Sequence, residues 1–319
     1  MTGKEKPAWA RGSLQTKTNN HINSLLPSEK PEWAFKAALE ASFGLLDFMP
    51  EGDGEFHRFH VPEEKSGTRN GWYVLYLDSL PSGAFGSWKT GQAATWCSRK
   101  PTDPIEAERV RQRIEQAKVK RQLEQQQRHQ YAAEKARQIW QRALPANPSH
   151  TYLVAKQVPA YGLRQCGNTL LVPLIHNGQL VNLQFIQPDG CKRFLSGGQV
   201  KGCYSPLGQI QAHKPMYLCE GRITGHALHQ HTQCPVACAM NAGNLLPAGQ
   251  HLKAKYPDLE LVIAGDDDRL TEGNPGRTKA LEAANQLGCS AVFPAWPAGA
   301  PVSLTDFNDL SRWMAGGAV

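Results

Sequence analysis

The sequence predicts an α/β protein: a parallel sheet with flanking helices in the last third, preceded by a strand-rich basic segment and a small N-terminal α/β unit. Three observations carry this. From Met216 onward, strand-like apolar runs alternate with helix-like segments, the pattern of a parallel sheet covered by helices. Ahead of it, three strand-like runs are joined by the turns His176-Asn177-Gly178 and Pro188-Asp189-Gly190, as in an antiparallel meander. The 319 residues suffice for two domains, or for one domain with appendages.

Composition narrows the functional classes. Hydrophobic residues make up 40% and charged residues 20%, ordinary for a soluble protein. No run approaches the roughly 18 apolar residues of a membrane span, so no membrane partner is expected. The opening stretch "MTGKEKPAWARGSLQTKTNNHINS" has a charged start but no apolar segment. It is not a secretory signal, and residues 1–30 are expected to form a flexible tail. Eight cysteines (97, 166, 191, 203, 219, 234, 238, 289) form no C-x-x-C pair, which suits a reducing cytoplasm better than a disulfide framework.

The elements follow in order. "PEWAFKAALEASFGLL" has helical spacing with Pro31 near its start. "GWYVLYLDSLPSGAFGSWKTGQAATWC" alternates aromatic and β-branched runs with Gly/Pro turns, a meander of strands that completes a unit over 31–100. Residues 101–147 read as a helical connector rich in Glu, Arg, Gln and Ala, without a regular apolar seam. "PANPSH" ends it, and a basic segment over 148–213 begins. Over 214–319, "PMYLCEG", "CPVACAMNAG", "LELVIAGDDD" and "SAVFPAW" are strands, and "RITGHALHQH", "LPAGQHLKAKYP" and "GRTKALEAANQLG" are the helices between them.

The net charge of +7 is uneven. Residues 104–142 hold ten Lys/Arg against five Asp/Glu, and residues 152–215 hold six against the single Asp189. From Met216 onward seven basic residues face ten acidic ones. A basic body beside an acidic segment suggests a polyanion held next to a metal-binding pocket. Plain solvated surface is the alternative.

The acidic segment contains "LVIAGDDDRLTEGNPGRTKA", three aspartates directly behind an apolar run. A solvated loop after a strand would explain Asp, Gly and Asn there. In a parallel sheet, however, sites lie at the carboxyl ends of strands, and that rule puts Glu220 and Asp266–Asp268 on one edge. Hard oxygen ligands of this kind suit a partly hydrated Mg²⁺, and two ions about 4 Å apart can share the activation of a hydroxyl and the neutralisation of developing charge. Carboxylates that repel in an empty loop become favourable around a divalent cation.

"LCEGRITG" followed by "IAGDDDR…GRTKA" resembles the Toprim signature, a strand-terminal Glu-Gly and then Asp-x-Asp with a downstream Gly and Ala. The chain is most like the Toprim primases carried by phages and plasmids, with a DnaG-like catalytic core. "LLVPLIHNGQLVNLQFIQPDGCKRFLSGGQVKGCYSPLG" is similar to the basic subdomain that precedes Toprim in primases, and "MNAGNLLP" and "LTDFNDL" look like recurrent elements of the group. The resemblance spans about 31–312 and implies a basic primase subdomain over 148–213 and a Toprim domain over 214–319. It implies catalytic roles for Glu220, Asp266 and Asp268, which with Asp306 would hold Mg²⁺ or Mn²⁺, and an intervening position for Asp267. Asp309 belongs with Asp306 in the same element, whose plainer reading is a helix N-cap with a first-turn acid. Lys192, Arg193 and Lys201 would grip nucleic acid, with glycines beside them that let backbone approach phosphates. Arg269 would meet the triphosphate and Arg277 would join the nucleotide-binding set, although the extra residues "LTEGNP" separate Arg269 from Gly276.

Primases of this type often begin with a zinc ribbon. "FHRFHVPEEKSGTRNGWYVLY" keeps a similar rhythm without the Cys ligands. His57, His60 and Cys97 make at most three ligands where structural zinc wants four, so zinc is not expected and the unit should fold on Phe56, Phe59, Trp72, Tyr73, Phe85, Trp88 and Trp96. Exposed members of that set could stack on single-stranded bases. No G-x-x-x-x-G-K-[ST] occurs, so any replicative helicase would be a separate chain. The expected partners are a single-stranded DNA template and ribonucleoside triphosphates, with metal-dependent nucleotidyl transfer as the reaction. The other readings are a replication accessory factor that binds without synthesis, and a Toprim nuclease.

Overall fold

The computed structural model describes residues 22–23 and 30–316. The expectation of a tail over 1–30 therefore falls, apart from Ile22, Asn23 and Lys30, outside the described residues. The chain divides into two compact units, residues 1–125 and 126–319, so the division falls within the long helix.

In the first unit, α1 (Pro31–Phe43) starts on a proline whose fixed φ suits a first helical turn. β1 (Ile22–Asn23), β2 (His57–Phe59), β3 (Gly71–Tyr76), β4 (Ser82–Ser87) and β5 (Ala93–Cys97) form a sheet in the order β1-β5-β4-β3-β2. The expected meander is present: β2 to β5 pair antiparallel in succession, and β1 adds parallel to β5. One face packs α1 through Phe35, Leu39, Phe59, Tyr73, Phe85 and Trp96. The other face is covered by the first part of α2 (Pro104–Arg142), where Ala117 joins Trp72, Val74 and Ala84. Arg121 lies over Trp72 and Trp88 at 4.9 and 5.0 Å, a desolvated cation–π pair. Of the seven aromatics named from sequence, five are buried and Phe56 and Trp88 half-buried. Phe56 and Trp88 pack beside Trp72 at ring separations of 5.5 and 6.4 Å and keep part of their surface exposed.

His57 and His60 part company here. His57 Nε2 lies 2.9 and 3.0 Å from the two Asp53 carboxylate oxygens, whereas His60 turns to the Thr68 carbonyl.

In the second unit, β6 (Leu144–Pro145), β7 (Arg164–Cys166), β8 (Thr169–His176), β9 (Gln179–Ile186) and β10 (Lys192–Phe194) form an antiparallel sheet in the order β10-β9-β8-β7-β6. A short helix, α3 (Thr151–Lys156), lies between β6 and β7. The β8–β9 turn places Asn177 and Gly178 at φ 52° and 80°, the two positive angles of a type I′ hairpin.

The second sheet runs β11-β13-β12-β14-β15, from β11 (Ser205–Leu207), β12 (Met216–Cys219), β13 (Val236–Cys238), β14 (Leu261–Ala264) and β15 (Ser290–Val292). β12 to β15 are parallel, as the alternation predicts. β11 adds an antiparallel edge that the sequence reading did not anticipate. Helices α4 (Arg222–Thr232), α5 (Leu245–Lys255), α6 (Pro275–Leu287) and α7 (Phe307–Met314) complete the layer. The two sheets of this unit share one core: Leu170, Val172, Leu174 and Ile186 pack in the same cluster as Cys219, Ile223, Cys238 and Ala264.

Phe35 is fully buried and meets Tyr73, Phe85 and Trp96 edge-on at 5.3 to 5.9 Å. Phe35→Ala is expected to cost about 3–5 kcal/mol in urea unfolding, and a loss under about 1 kcal/mol would contradict this packing.

Candidate active site

Strand register brings the acids together. Cys219 on β12 pairs with Ala264 on β14, so Glu220 and Asp266 leave the sheet one and two residues later on the same edge. The Glu220 carbonyl accepts the Met240 N–H at 2.7 Å, which ties this turn to the one after β13. Burial and the charge of Asp268 push the Glu220 carboxyl above the usual range, while the Ala242 N–H and the Lys192 ammonium pull it down. Lys192 therefore sits within electrostatic reach of the acid edge.

Asp266 is strongly perturbed. Burial first, then Asp306, Glu220, Asp268 and Asp309, push its carboxyl up to about 8. Its Oδ1 is buried with no hydrogen-bond partner, an arrangement that costs free energy unless something supplies positive charge. Asp306 is raised by burial and by Asp309. It also caps α7: Oδ1 accepts the Asp309 N–H at 2.8 Å, and Oδ2 accepts the Thr224 hydroxyl at 3.2 Å. Asp309 reaches back to the Thr305 N–H at 3.1 Å. The capping role and the place beside Asp266 thus coexist in one side chain.

Asp267 faces away into a scaffold. Burial raises its carboxyl, but Asn274 Nδ2 at 2.8 Å, Trp296 Nε1 at 2.9 Å and the charges of Arg277 and Arg269 outweigh that and leave it below the usual range. Asn274 lies in the extra "LTEGNP" stretch and pins it. Its Oδ1 accepts the Asp268 N–H at 2.8 Å and the Arg277 N–H at 3.3 Å, as the N-cap of α6. The Gly276 N–H donates to Asp268 Oδ2 at 2.9 Å. A Cβ at Gly276 would stand 2.7 Å from that oxygen, so only glycine lets the helix start come this close. The loop over 270–275 therefore folds back onto the Asp-x-Asp and orients it.

The basic residues separate into two groups. Arg269 donates to the Pro301 and Leu304 carbonyls at 2.7 and 3.1 Å and lies over Trp296 at 4.5 Å. Arg277 is half-exposed, 3.6 Å from Asp267 and over Phe293 at 4.1 Å. Lys192, Arg193 and Lys201 are exposed on and after edge strand β10, with Lys192 over the Tyr152 ring at 5.8 Å.

Sequence reasoning missed Asn274, Thr224, Trp296 and Arg222. Asn274 had a signal, an Asn directly before a helix-starting Pro. Arg222 had none: a charged residue is rarely buried, yet its guanidinium donates to Ser205 Oγ, the Pro206 carbonyl and the Tyr161 carbonyl at 2.7 to 3.0 Å.

The donor set fits a hard divalent cation. All donors at this edge are carboxylate oxygens, and the unpartnered Asp266 Oδ1 lies among them. Among the described residues, only Glu51, Asp53 and His57 bring three ligand atoms within 4.8 Å of one another, so the acids of this edge are neighbours at a wider spacing than that.

Residues 215–316 match the Toprim domain family. The chain is also similar to a DNA primase TraC of Escherichia coli, 33% identical over 290 residues, which are 86% of this chain and 27% of that protein. The chain carries a Toprim domain and is similar to DNA primases. A second DNA primase TraC of Escherichia coli is 33% identical over 274 residues, 82% of this chain and 19% of that protein. The chain thus spans about a fifth to a quarter of the length of the curated relatives it matches. A solved DNA primase domain from Pseudomonas aeruginosa is 13% identical, with 55% of this chain and 58% of that one aligned at a TM-score of 0.33. The Aquifex aeolicus primase zinc-binding and RNA polymerase domains are 13% identical over 90% of this chain and 83% of that one, at 0.39. Both scores are too low to bear on the site. Among the described residues, no helix is long and apolar enough to cross a membrane.

The pH dependence of the cation-free protein follows from Asp266. Folded, it keeps its proton up to about pH 8; unfolded, it loses it near 3.8. The folded state binds more protons between those values, so this group lowers stability as pH rises through that window, by at most about 1.4 kcal/mol per pH unit. In EDTA, Asp266→Asn should therefore gain on wild type in Tm between pH 5 and pH 8. A gap that is constant or shrinks with pH would contradict the environment described.

Proposed function

We propose that this chain is the catalytic part of a primase that joins ribonucleotides on single-stranded DNA by metal-dependent nucleotidyl transfer, in the replication of a mobile element or its host. The observation that carries the reading is the convergence of Glu220, Asp266, Asp268 and Asp306 at one sheet edge, with the Lys192 ammonium acting on Glu220. The Toprim domain over residues 215–316 and similarity to two DNA primases support it.

Glu220, Asp266, Asp268 and Asp306 would hold Mg²⁺ or Mn²⁺. When bound, the cation supplies neutralisation of phosphate charge and activation of a primer 3′-hydroxyl. The chain's own residues do the rest. Asn274 holds the Asp268 backbone N–H and the Gly276 N–H holds its carboxylate before substrate arrives, so little reorganisation is left for the reaction. Asp306, held by the α7 start and Thr224, keeps a second carboxylate beside Asp266. Lys192, Arg193 and Lys201 offer phosphate contacts along β10. Arg277, half-exposed at the α6 start and 3.6 Å from Asp267, would meet a nucleotide phosphate. Arg269, bound to two carbonyls, contributes by holding the Pro301–Leu304 loop under the site. A separate helicase chain and a cytoplasmic setting belong to the same proposal.

The test combines ribonucleotides, single-stranded DNA and a divalent cation, with products resolved by length. New short RNA is expected. Shortened DNA would point to a nuclease, and binding without either product to an accessory factor. Asp266→Asn and Asp268→Asn should each abolish synthesis while DNA binding survives, because amides hold divalent cations poorly and the basic surface is untouched. Near wild-type synthesis in either variant at limiting Mg²⁺ would sink the assignment.

Glu220→Gln separates two roles. A ligand lost from the cation raises the metal requirement, whereas a lost proton acceptor cannot be replaced by more metal. Excess Mn²⁺ is expected to restore part of the primer yield of Glu220→Gln. A yield that stays at zero across the Mn²⁺ titration, in a folded variant, would refute the ligand role.

A further inference from the structure

The second half of α2, residues 126–142, carries a feature that the reading as a solvated connector leaves unexplained. At 3.6 residues per turn, Arg128, Tyr131, Lys135 and Arg142 fall within an arc of about 60° on one face. Ala132, Ala133 and Ala136 are buried on another. Tyr131 is 75% exposed, an unusual place for an aromatic ring. Glu134 is the only acid between 126 and 142. It lies roughly another 60° round the helix and is paired with Arg137 at 2.9 Å. Among the described residues, no ion pair is recorded for Arg128, Lys135 or Arg142 in a segment where ion pairs at this spacing are readily made.

The stripe begins at the basic strand. The turn after β10 meets the helix at Arg128: a Cβ on Gly197 would lie 3.8 Å from the Arg128 carbonyl oxygen and 4.0 Å from its Nε. Gly197 takes φ +79° there, so backbone replaces side chain at the contact. The exposed Lys192 and Arg193 of β10 thus lead to Arg128, and from it the stripe continues for roughly 21 Å along the helix at 1.5 Å per residue.

We propose that Arg128, Tyr131, Lys135 and Arg142 form a second contact surface for single-stranded DNA, extending the β10 contacts away from the acid edge. Three cations without carboxylate partners take phosphates, and the exposed ring takes an unpaired base. Alternation of cation and ring is what a sequence-tolerant single-strand binder uses. The inference rests on the reading of the chain as a binder of single-stranded DNA.

The experiment is fluorescence anisotropy of the full chain with a labelled 20-nucleotide oligothymidylate over a series of salt concentrations. Arg128→Ala/Lys135→Ala/Arg142→Ala should flatten the slope of log affinity against log salt by about 2, at roughly 0.7 per contact on a single strand. Tyr131→Ala should weaken binding at least about fivefold with the slope unchanged. Arg137→Ala, its charge spent on Glu134, serves as the control that should change neither. Alanine suits an exposed helix position, and circular dichroism confirms folding. If Lys192→Ala/Arg193→Ala flattens the slope but the helix triple does not, the helix surface is refuted while the proposed function stands. If the wild-type chain does not bind the oligonucleotide, both fall.

Discussion

The crowding of carboxylates at one sheet edge is the constraint on which the rest of this structure depends. Asp266 has Glu220, Asp268, Asp306 and Asp309 as charged neighbours, and each of them disfavours its ionised form. Such a cluster persists only if its members cannot move apart, and the surrounding structure is arranged to prevent that. Parallel register holds Glu220 and Asp266 level. The Asn274 side chain and the Gly276 amide clamp Asp268, and the start of α7 clamps Asp306. Asp267, the middle residue of the run, is turned out of the cluster and spent on Asn274 and Trp296. The backbone thereby carries a repulsion that the side chains alone would relieve by swinging into solvent.

Compensating charge comes from a different element. Lys192 acts on Glu220 from the antiparallel sheet, and that sheet packs into the same core as the parallel one. Arg222 reinforces the junction: it follows the Glu220-Gly221 turn yet donates to the Tyr161 carbonyl and to Ser205 and Pro206 of β11. A fully buried guanidinium is costly to hold, and its removal would leave three acceptors unmatched.

Much of this was legible in the residues. The strand–helix alternation after Met216 announced the parallel order, because fully buried strands such as Leu261–Ala264 read as continuous apolar runs. The three-stranded meander from Thr169 announced itself through Asn177-Gly178 and Asp189-Gly190. β11 was silent, since Ser-Pro-Leu carries no alternation and becomes a strand only by pairing with β13. The placing of Glu220 and Asp266 on one edge followed from a topological rule, but the division of labour among the three consecutive aspartates did not. It depends on Asn274, Trp296 and Thr305, which are 7 to 38 residues away from Asp267 along the chain. The triphosphate role expected of Arg269 was drawn from its neighbour in sequence, whereas its reach was decided by the Pro301–Leu304 loop. Local pattern gives strands and turns; partners brought in from distant loops have no local signature.

The single core shared by the two sheets of residues 126–319 has a consequence for how such a protein can be rearranged. A cut between the basic segment and the segment that follows it looks natural in composition. It would, however, expose Leu170, Val172 and Ile186 on one side and Ile223 and Cys238 on the other. Neither piece could be grafted onto a foreign partner without a matching apolar face. Residues 126–319 can therefore be exchanged only as one block, which carries the spacing between cation-rich strand and acid edge along unchanged.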